Sequence, residues 1–233
     1  MLGTQTTQAV ILAAGKGTRM RPLTDAVPKP LQEILGRSLL AYKLDVLPAS
    51  IDDVVIVIGH LGEQIVSAIG ERQGTRTIRY IAQSELNGTA GALLSARSLL
   101  RERFLVLMGD DLYDANDLAH LAEEEMAIGI AEVCDREIGG EIIRKDDGTL
   151  LEVREARHRV DHGFICTGAY ALTQRFFAHA PVAVPGSLEL GIPQTLASIA
   201  REAPVALVPF TRWMQITSPE DLVRAQEFVR MKS

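Results

Sequence analysis

The chain has 233 residues, of which 47% are hydrophobic and 23% are charged, and its net charge is −6. This composition is typical of a globular protein and excludes a disordered or collagen-like chain. The acidic balance also argues against non-specific binding to nucleic acid or to anionic membranes, which requires a basic face.

In the first half of the chain, short apolar runs alternate with helical patterns. The predicted strands are Ala9–Ala14, Asp53–Ile58, Ile78–Gln83 and Phe104–Met108. The predicted helices are Leu39–Leu47, Gly62–Arg72, Thr89–Arg103 and Asn116–Ala127, the last with Asn116 as its N-cap. Continuous apolar strands separated by helices predict a parallel sheet covered on both faces.

The second half, beyond residue 127, is richer in strands. The predicted strands are Ile130–Cys134, Glu141–Lys145, Leu150–Glu155, Phe164–Leu172 and Val205–Phe210, with a hairpin turn at Asp146–Gly148. Helices are predicted at Gln174–Ala180 and Pro193–Ala203, and a final helix begins at Ser218, Pro219 and Asp221. We therefore expect a single α/β domain.

The cysteines and histidines carry no metal-binding pattern. Cys134 and Cys166 lie in apolar runs, which predicts two buried free thiols rather than a disulfide or a metal pair. His158 and His162 are four residues apart in a predicted loop, and none of the five histidines is assigned a role.

A glycine-rich loop follows the first predicted strand. Gly15 and Gly17 would let backbone N–H groups approach an anion, and Lys16, Arg19 and Arg21 add positive charge. The spacing matches neither the dinucleotide-binding fingerprint nor the P-loop. Taken alone, the glycines also fit a tight turn with basic residues beside it, but the strand–loop–helix order favours a phosphate cradle.

Lys29 follows on a stiff segment between two prolines. The segments Ala13-Ala-Gly15…Gly17-Thr-Arg19 and Pro22-Leu-Thr24…Pro28-Lys29-Pro-Leu31 resemble the signature of the sugar-1-phosphate nucleotidyltransferases. That family includes glucose-1-phosphate thymidylyl- and uridylyltransferases and N-acetylmuramate-1-phosphate uridylyltransferases. The resemblance implies a Rossmann-like, GT-A-like nucleotidyltransferase fold, a three-layer α/β/α sandwich with a mixed, mostly parallel central sheet. It also implies one domain over residues 1–233, with a nucleotide-binding half (1–127) and a sugar-phosphate-binding half (128–233).

The resemblance assigns the nucleotide to the first half of the chain. The residues implied to bind it are Leu12, Ala13, Ala14, Gly15, Gly17, Thr18, Arg19, Lys29, Gln83, Gly88 and Thr89. Arg19 would hold the pyrophosphate, Lys29 would neutralise the α-phosphate, and Gln83 and Gly88 would read the base. A Gln amide offers one donor and one acceptor, which matches the imide edge of uracil or thymine. Taken alone, Gln83 would also fit as a surface residue at a strand end.

Asp110 follows the predicted strand Phe104–Met108. An acid at the carboxyl end of a parallel strand sits in the usual ligand crevice. The resemblance makes Asp110 the ligand of Mg²⁺, a cation that prefers carboxylate and phosphate oxygens. Asp111 and Asp114 are the nearby candidates for a second carboxylate.

The residues that would hold the sugar phosphate are less distinctive. Glu155, Gly168 and Glu189 resemble the family's sugar-binding residues, although each also fits as an ordinary surface or strand residue. The family's lysine after the first glutamate is absent, since Ala156 takes its place. Arg157 is the candidate to bind the phosphate instead.

A second departure concerns the metal. The segment Trp213–Leu222 resembles the family's Trp-x-Asp-x-Gly-Thr-Pro-x-x-Leu, whose aspartate is the second metal ligand, but Gln215 stands at that position. A neutral amide oxygen coordinates Mg²⁺ more weakly than a carboxylate does. Either another acid substitutes, or one Mg²⁺ and the basic loop suffice, or the activity is weak or lost.

The resemblance implies an enzyme that transfers a nucleotidyl group from UTP or dTTP to a sugar 1-phosphate, with Mg²⁺ as cofactor and with Arg19, Lys29 and Asp110 as catalytic residues. Two alternatives stay open. One is a cytidylyltransferase acting on phosphocholine or a similar small phosphate. The other is a nucleotide- or nucleotide-sugar-binding protein without turnover, which Gln215 motivates.

The expected cellular location depends on two patterns that the sequence lacks. The sequence shows no signal peptide and no apolar run long enough to span a membrane, so we expect a cytoplasmic protein. The expected partners are a nucleoside triphosphate and a sugar 1-phosphate, with no nucleic acid and no membrane. A homo-oligomer stays open.

Overall fold

The computed structural model describes residues 5–138, 140–155 and 158–231. Within these ranges the strands are β1 (Gln8–Ala13), β2 (Glu33–Ile34), β3 (Arg37–Ser38), β4 (Asp53–Ile58), β5 (Arg72–Gln73), β6 (Arg76–Ala82), β7 (Arg103–Met108), β8 (Leu112–Tyr113), β9 (Ala127–Ile138), β10 (Glu141–Arg144), β11 (Leu150–Arg154), β12 (His158–Thr173), β13 (Val182–Ala183), β14 (Leu190–Gly191), β15 (Ala206–Pro209) and β16 (Trp213–Met214). The α-helices are α1 (Leu23–Ala26), α2 (Leu39–Val46), α3 (Gly62–Ile69), α4 (Thr89–Ala96), α5 (Ala115–Glu123), α6 (Ile192–Ile199) and α7 (Pro219–Arg230). Short 3₁₀ helices lie at Thr18–Met20, Lys29–Leu31, Arg97–Leu99 and Gln174–Ala178.

One central sheet contains ten of the described strands. Strands β6, β4, β1 and β7 are neighbours in that order and run parallel. The long strand β12 joins β7 in the antiparallel direction and also pairs with β9 and β10. The predicted mixed sheet with a parallel core is confirmed.

Strand β1 shows why helices cover both faces of this sheet. Every residue of β1 is buried. Val10 and Leu12 pack into one apolar cluster with α4 and α6, whereas Ala9 and Ile11 pack into another with α2 and α5. Successive side chains of a strand point to opposite faces, so an all-apolar strand requires a covering layer on each side.

Several predicted helices extend too far. Helix α3 ends at Ile69 because Gly70 follows with a φ of 73°, and α4 ends at Ala96 before a short 3₁₀ turn. Helix α5 ends at Glu123, and its N-cap is Asp114, not Asn116. The Asp114 carboxylate accepts a hydrogen bond from the backbone N–H of Asn116 at 2.8 Å, which corrects the predicted cap.

The antiparallel pair of β9 and β12 contradicts two predictions. His158 and His162 lie in strand β12 rather than in a loop. Cys134 lies on β9 and is exposed, so the prediction that both thiols are buried is wrong for this residue. The two strands are longer than predicted, and the side chain of Cys134 is not covered by the core as the apolar run around it suggested.

The C-terminal helix begins as predicted. The Ser218 and Asp221 side chains form a capping box at the start of α7, with Pro219 in its first turn. Across the described ranges, no helix combines the length and the apolar character that crossing a membrane requires.

Candidate active site

Two adjoining cavities open at the carboxyl ends of β1 and β7. The first, here called the loop cavity, has a volume of about 220 Å³ and is lined by Leu12, Ala13, Gly15, Gly17, Thr18, Arg19, Met20, Lys29, Pro30, Met108, Gly109, Asp110 and Thr217. The second, here called the Gln83 cavity, has a volume of about 340 Å³ and is lined by Leu12, Ala14, Gly15, Lys16, Gly17, Thr18, Gln83, Leu86, Gly88, Thr89, Ala92, Met108 and Glu189. They share a wall formed by Leu12, Gly15, Gly17, Thr18 and Met108, so the two cavities lie side by side. The carboxyl ends of parallel strands are the usual place for such a site.

The loop after β1 forms the shared wall. Gly17 has a φ of 62° and precedes the 3₁₀ turn Thr18–Met20. A Cβ at Gly17 would lie 3.0 Å from the Thr24 methyl carbon, so the position favours glycine. The Thr24 hydroxyl donates to the Gly17 carbonyl at 2.8 Å, and the Met20 N–H donates to the same carbonyl at 2.9 Å. These bonds hold the loop in one conformation.

The basic residues of this loop point in different directions. Arg19 is exposed and lines the loop cavity, and Lys16 lines the Gln83 cavity. Arg21 instead forms an ion pair with Asp25 at 3.0 Å and lines neither cavity. Two of the three cations are therefore placed to meet an anion at this site.

Lys29 and Asp110 meet inside the loop cavity. Lys29 is only 7% exposed, and its ammonium group donates to a carboxylate oxygen of Asp110. Asp110 is less buried, with 28% of its side chain exposed. A cation on a stiff, buried segment and a carboxylate at the tip of β7 thus share one wall of the cavity.

The neighbouring acids face elsewhere. Asp111 is 3% exposed and accepts a hydrogen bond from the Trp213 indole N–H at 3.4 Å, and Asp114 caps α5. The Lys43 ammonium donates to the backbone carbonyl of Asp111. Burial raises the pKa of Asp111, an effect that the nearby Asp110 reinforces, and burial lowers the pKa of Lys43. Neither Asp111 nor Asp114 lines either cavity.

The donors around the loop cavity fit one hard divalent cation. Asp110 is the only carboxylate among the described residues that line it. Gln215 is exposed and is not part of the lining. Mg²⁺ is typically bound by one or two carboxylates together with phosphate oxygens and water. The arrangement therefore suits a cation that Asp110 and a bound phosphate hold together.

The Gln83 cavity presents one nearly buried amide. Gln83 is 9% exposed, and its amide nitrogen donates to the Asn87 side-chain oxygen at 3.2 Å. The same nitrogen also donates to the Gly88 carbonyl at 3.5 Å. These two bonds fix the orientation of the amide and leave its carbonyl oxygen available as an acceptor.

Gly88 lets the backbone around Leu190, which belongs to the second half of the chain, pack directly against the wall of the Gln83 cavity. Its φ is 98°, and a Cβ there would lie 2.4 Å from the carbonyl oxygen of Leu190 and 2.6 Å from its nitrogen. The Leu190 N–H also donates to the Asn87 carbonyl at 2.7 Å. The segment that carries Glu189 is thereby fastened beside Gly88, and Glu189 lines the Gln83 cavity.

The other residues expected to bind the sugar phosphate lie outside both linings. Glu155 accepts a hydrogen bond from the Gln194 side-chain amide of α6. Gly168 has a φ of 72°, and a Cβ there would lie 2.4 Å from Cγ of Met108, which lines both cavities. Gly168 thus packs behind their shared wall. Ala156 and Arg157 lie outside the described residues.

Sequence reasoning did not single out three residues that the structure brings to this region. Thr217 lines the loop cavity, Met108 lines both cavities, and Gln194 is bonded to Glu155. Thr217 belongs to the C-terminal segment that resembles the family pattern but departs from it at Gln215. Its place in that segment was the only feature of the sequence that pointed to Thr217. Met108 ends an apolar strand and looked like core, and Gln194 lay in an unremarkable predicted helix.

Comparisons with known proteins identify the family. A family model described as nucleotidyl transferase matches residues 8–232. The chain is 30% identical over 231 residues to the UTP–glucose-1-phosphate uridylyltransferase AglF of Haloferax volcanii, with 94% of this chain and 95% of that protein covered. It is 26% identical over 225 residues to the bifunctional protein GlmU of Methanocaldococcus jannaschii, with 95% of this chain but 54% of that protein covered. The chain thus spans about half the length of that relative.

Solved structures share the fold. A UDP-glucose pyrophosphorylase in complex with UDP-glucose aligns with a TM-score of 0.80 at 20% identity, and the alignment covers 98% of this chain and 100% of that one. The inositol-1-phosphate CTP transferase from T. maritima aligns with a TM-score of 0.78 at 20% identity, covering 97% of this chain and 96% of that one. At this identity the likeness establishes the GT-A-like fold.

Proposed function

The chain belongs to the nucleotidyl transferase family, and from this premise we propose that it transfers a nucleotidyl group from UTP or dTTP to a sugar 1-phosphate. A phosphate oxygen of the sugar 1-phosphate attacks the α-phosphorus of the triphosphate. A new P–O bond forms, the bond from the α-phosphorus to the bridging oxygen breaks, and pyrophosphate leaves with that bond's electron pair. Such a transfer needs positioning and charge neutralisation rather than a protein nucleophile.

One observation carries this proposal. The glycine-rich loop, Lys29 and Asp110 converge on a single cavity, and that cavity adjoins the one that holds Gln83. A triphosphate needs cations and backbone N–H groups, and a pyrimidine needs a paired donor and acceptor. The loop cavity supplies the former, and the Gln83 amide supplies the latter when a base replaces one of its bonds to Asn87 and Gly88.

The residues of the loop cavity take the phosphates. Arg19 has no ion-pair partner among the described residues and lines this cavity. It would hold the pyrophosphate, which is the leaving group and gains negative charge as it departs. Lys29 would neutralise the α-phosphate. Asp110 would hold Mg²⁺, which supplies further charge neutralisation on the phosphates when bound. In this arrangement Lys29 would contact the phosphate and Asp110 would contact the metal, in place of the ion pair that the two residues form with each other.

Gln83 and Gly88 would bind the base. The amide of Gln83 faces a cavity closed by Gly88 and Thr89. The uridylyltransferase activity in the name of the Haloferax relative supports a pyrimidine nucleotide. UTP and dTTP differ by one methyl group, which a pocket distinguishes by only about 1–3 kcal/mol.

The second half of the chain would hold the acceptor. Glu189 lies in the Gln83 cavity beside the nucleotide residues, and Gln194 orients Glu155. We assign Glu155, Arg157, Gly168 and Glu189 to the sugar phosphate. Both halves then act as one domain over residues 1–233, in the cytoplasm, where nucleotides and sugar phosphates are available.

The decisive experiment is a matrix of triphosphates against sugar 1-phosphates, with release of pyrophosphate as the readout. The proposal expects Mg²⁺-dependent release with UTP or dTTP and a hexose 1-phosphate. Release with CTP and phosphocholine alone would instead identify the cytidylyltransferase alternative. Binding of nucleotide without release under every combination would identify the protein as a binder in which Gln215 has removed an essential metal ligand.

A further inference from the structure

A second group of metal-ligating side chains lies away from both cavities, on the paired strands β9 and β12. Cys134 is directly opposite His162 in the antiparallel register, and Glu132 is two residues from Cys134 on the same strand. Opposite residues, and residues two apart, share one face of a sheet. A thiol, an imidazole and a carboxylate therefore project from the same side of the strand pair.

The ligand atoms converge on one point. The sulfur of Cys134 lies 3.3 Å from Nδ1 of His162, and the same nitrogen lies 3.5 Å from Oε1 of Glu132. All three atoms lie within 4.8 Å of one another. Tetrahedral zinc, with its usual bond lengths, would separate sulfur from nitrogen by about 3.6 Å and nitrogen from oxygen by about 3.4 Å. Two edges of the observed triangle match that geometry within about 0.3 Å.

The three side chains are also open to solvent. His162 is 74% exposed and Glu132 is 61% exposed, and Cys134 is exposed as well. An ion can reach the site without any rearrangement of the core, and water can take a fourth position. None of the three residues lines either cavity of the candidate active site.

We propose that Glu132, Cys134 and His162 form a binding site for Zn²⁺ with three protein ligands and one open position. Thiolate and imidazole ligands favour zinc, whereas Mg²⁺ prefers oxygen. A thiolate and a carboxylate neutralise the two charges of the ion. Bound zinc joins β9 to β12 in the outer part of their pairing, so it stabilises that end of the strand pair.

Titration with Co²⁺ tests the site directly, because a thiolate bound to Co²⁺ gives a charge-transfer absorption band in the near ultraviolet. The buffer contains a reductant that has no thiol group, so that Cys134 stays reduced and the reductant does not itself give the band. The unmodified chain is expected to show this band and to saturate at one equivalent, and Zn²⁺ is expected to displace it. Cys134→Ser is expected to abolish the band, and His162→Ala or Glu132→Gln is expected to weaken binding at least about tenfold.

Two variants serve as controls. Cys166→Ser keeps the band, because Cys166 is not in the cluster and burial raises the pKa of its thiol to about 11. Asp110→Asn keeps it too, since any cation at Asp110 has no thiolate ligand. Thermal unfolding adds a second readout: Zn²⁺ raises the Tm of the unmodified chain and not that of Cys134→Ser.

Three results would overturn the proposal. The first is the absence of the band in the unmodified chain at excess Co²⁺. The second is an unchanged affinity in His162→Ala, which would mean that the thiol acts alone. The third is loss of the band in Cys166→Ser and its retention in Cys134→Ser. Each result is independent of whether the enzyme assigned above is active.

Discussion

At the scale of single residues, the site depends on groups that the chain brings from distant positions. Lys29 and Asp110 are 81 residues apart and meet in the loop cavity, whereas Arg21, only two residues from Arg19, turns away to Asp25. Position in space, not proximity along the chain, decides which cation contributes. Variants of these residues therefore have sharply different expected effects.

Replacing Lys29 by Met or Asp110 by Asn is expected to lower kcat by more than about a hundredfold, the scale for losing one charge contact in a transition state. Arg19→Met should show a loss of the same kind through the pyrophosphate. Steady-state pyrophosphate release measures all three. Arg21→Met is the matched control, because it removes a cation from the same loop outside the cavities. A rate close to that of the unmodified chain in Lys29→Met or Asp110→Asn would contradict the mechanism.

Gly88→Ala is expected to weaken nucleotide binding and to destabilise the fold. The added Cβ would clash with the Leu190 backbone, and the positive φ adds a strain of about 1–3 kcal/mol. Gly74→Ala is the control, because Gly74 has a φ of 58° but nothing within 4 Å of a Cβ. Calorimetric titration with UTP and chemical denaturation separate the two effects. If Gly88→Ala and Gly74→Ala lost equal amounts of UTP affinity and of unfolding free energy, the positive φ alone, and not the clash with Leu190, would account for the effect.

At the scale of elements, helix α7 illustrates how local hydrogen bonds fix a boundary. Asp221 accepts hydrogen bonds from the Thr217 N–H at 2.8 Å, from the Thr217 hydroxyl at 2.9 Å and from the Ser218 N–H at 2.9 Å. Partial burial would raise the pKa of Asp221, but these hydrogen bonds together outweigh it and lower the pKa. They also hold Thr217 at the loop cavity.

Asp221→Ala is expected to lower the free energy of unfolding by about 1 kcal/mol at neutral pH, the usual value for a helix cap. Because the pKa of Asp221 is lowered in the folded state, its contribution is fully present above the unfolded pKa of about 3.9 and is lost as the pH falls through the folded value. Denaturation from pH 7 down to pH 4 and below measures this difference. Glu227→Ala, on the exposed side of the same helix, should change stability by less than about 0.5 kcal/mol at every pH. A gap that widens in acid would refute the assignment.

At the scale of the whole molecule, one sheet spans both halves of the chain. Leu105 of β7 pairs with Ala9 of β1 on one side and with Ala171 of β12 on the other. The buried cluster around it contains residues from both halves. A defect in β7 should therefore be felt throughout the protein.

Leu105→Ala is expected to lower the free energy of unfolding by about 2–5 kcal/mol, because Leu105 is fully buried. Because a single domain unfolds cooperatively, the unfolding transition seen by Trp213 fluorescence and the one seen by far-ultraviolet circular dichroism should have the same midpoint, and the substitution should shift both equally. Trp213 is the single tryptophan, and it reports on the junction of the two halves, because it pairs with Tyr113 and donates to Asp111. Leu188→Ala is the control, since Leu188 is 96% exposed. Separate transitions for the two probes would indicate two independent units instead.

The mixed character of the sheet was implied by the family resemblance. The sequence by itself predicted the alternating strands and helices of the first half, the parallel sheet that they form and the start of α7. These features depend on local periodicity and capping, which neighbouring residues determine. The glycine-rich loop and the segment around Lys29 also pointed to the family, because their spacing is specific. Helix ends were less predictable, since Gly70 and the 3₁₀ turn Arg97–Leu99 stop helices whose apolar pattern continues.

Only the tertiary structure decided which side chains meet. It paired Lys29 with Asp110, turned Arg21 and Asp111 away from the loop cavity, and placed Glu189 beside Gln83. It also joined Cys134 to His162, whose spacing of 28 residues matches no metal-binding pattern along the chain. Strand register and sheet order set these encounters, and both depend on packing between distant segments that no local pattern contains.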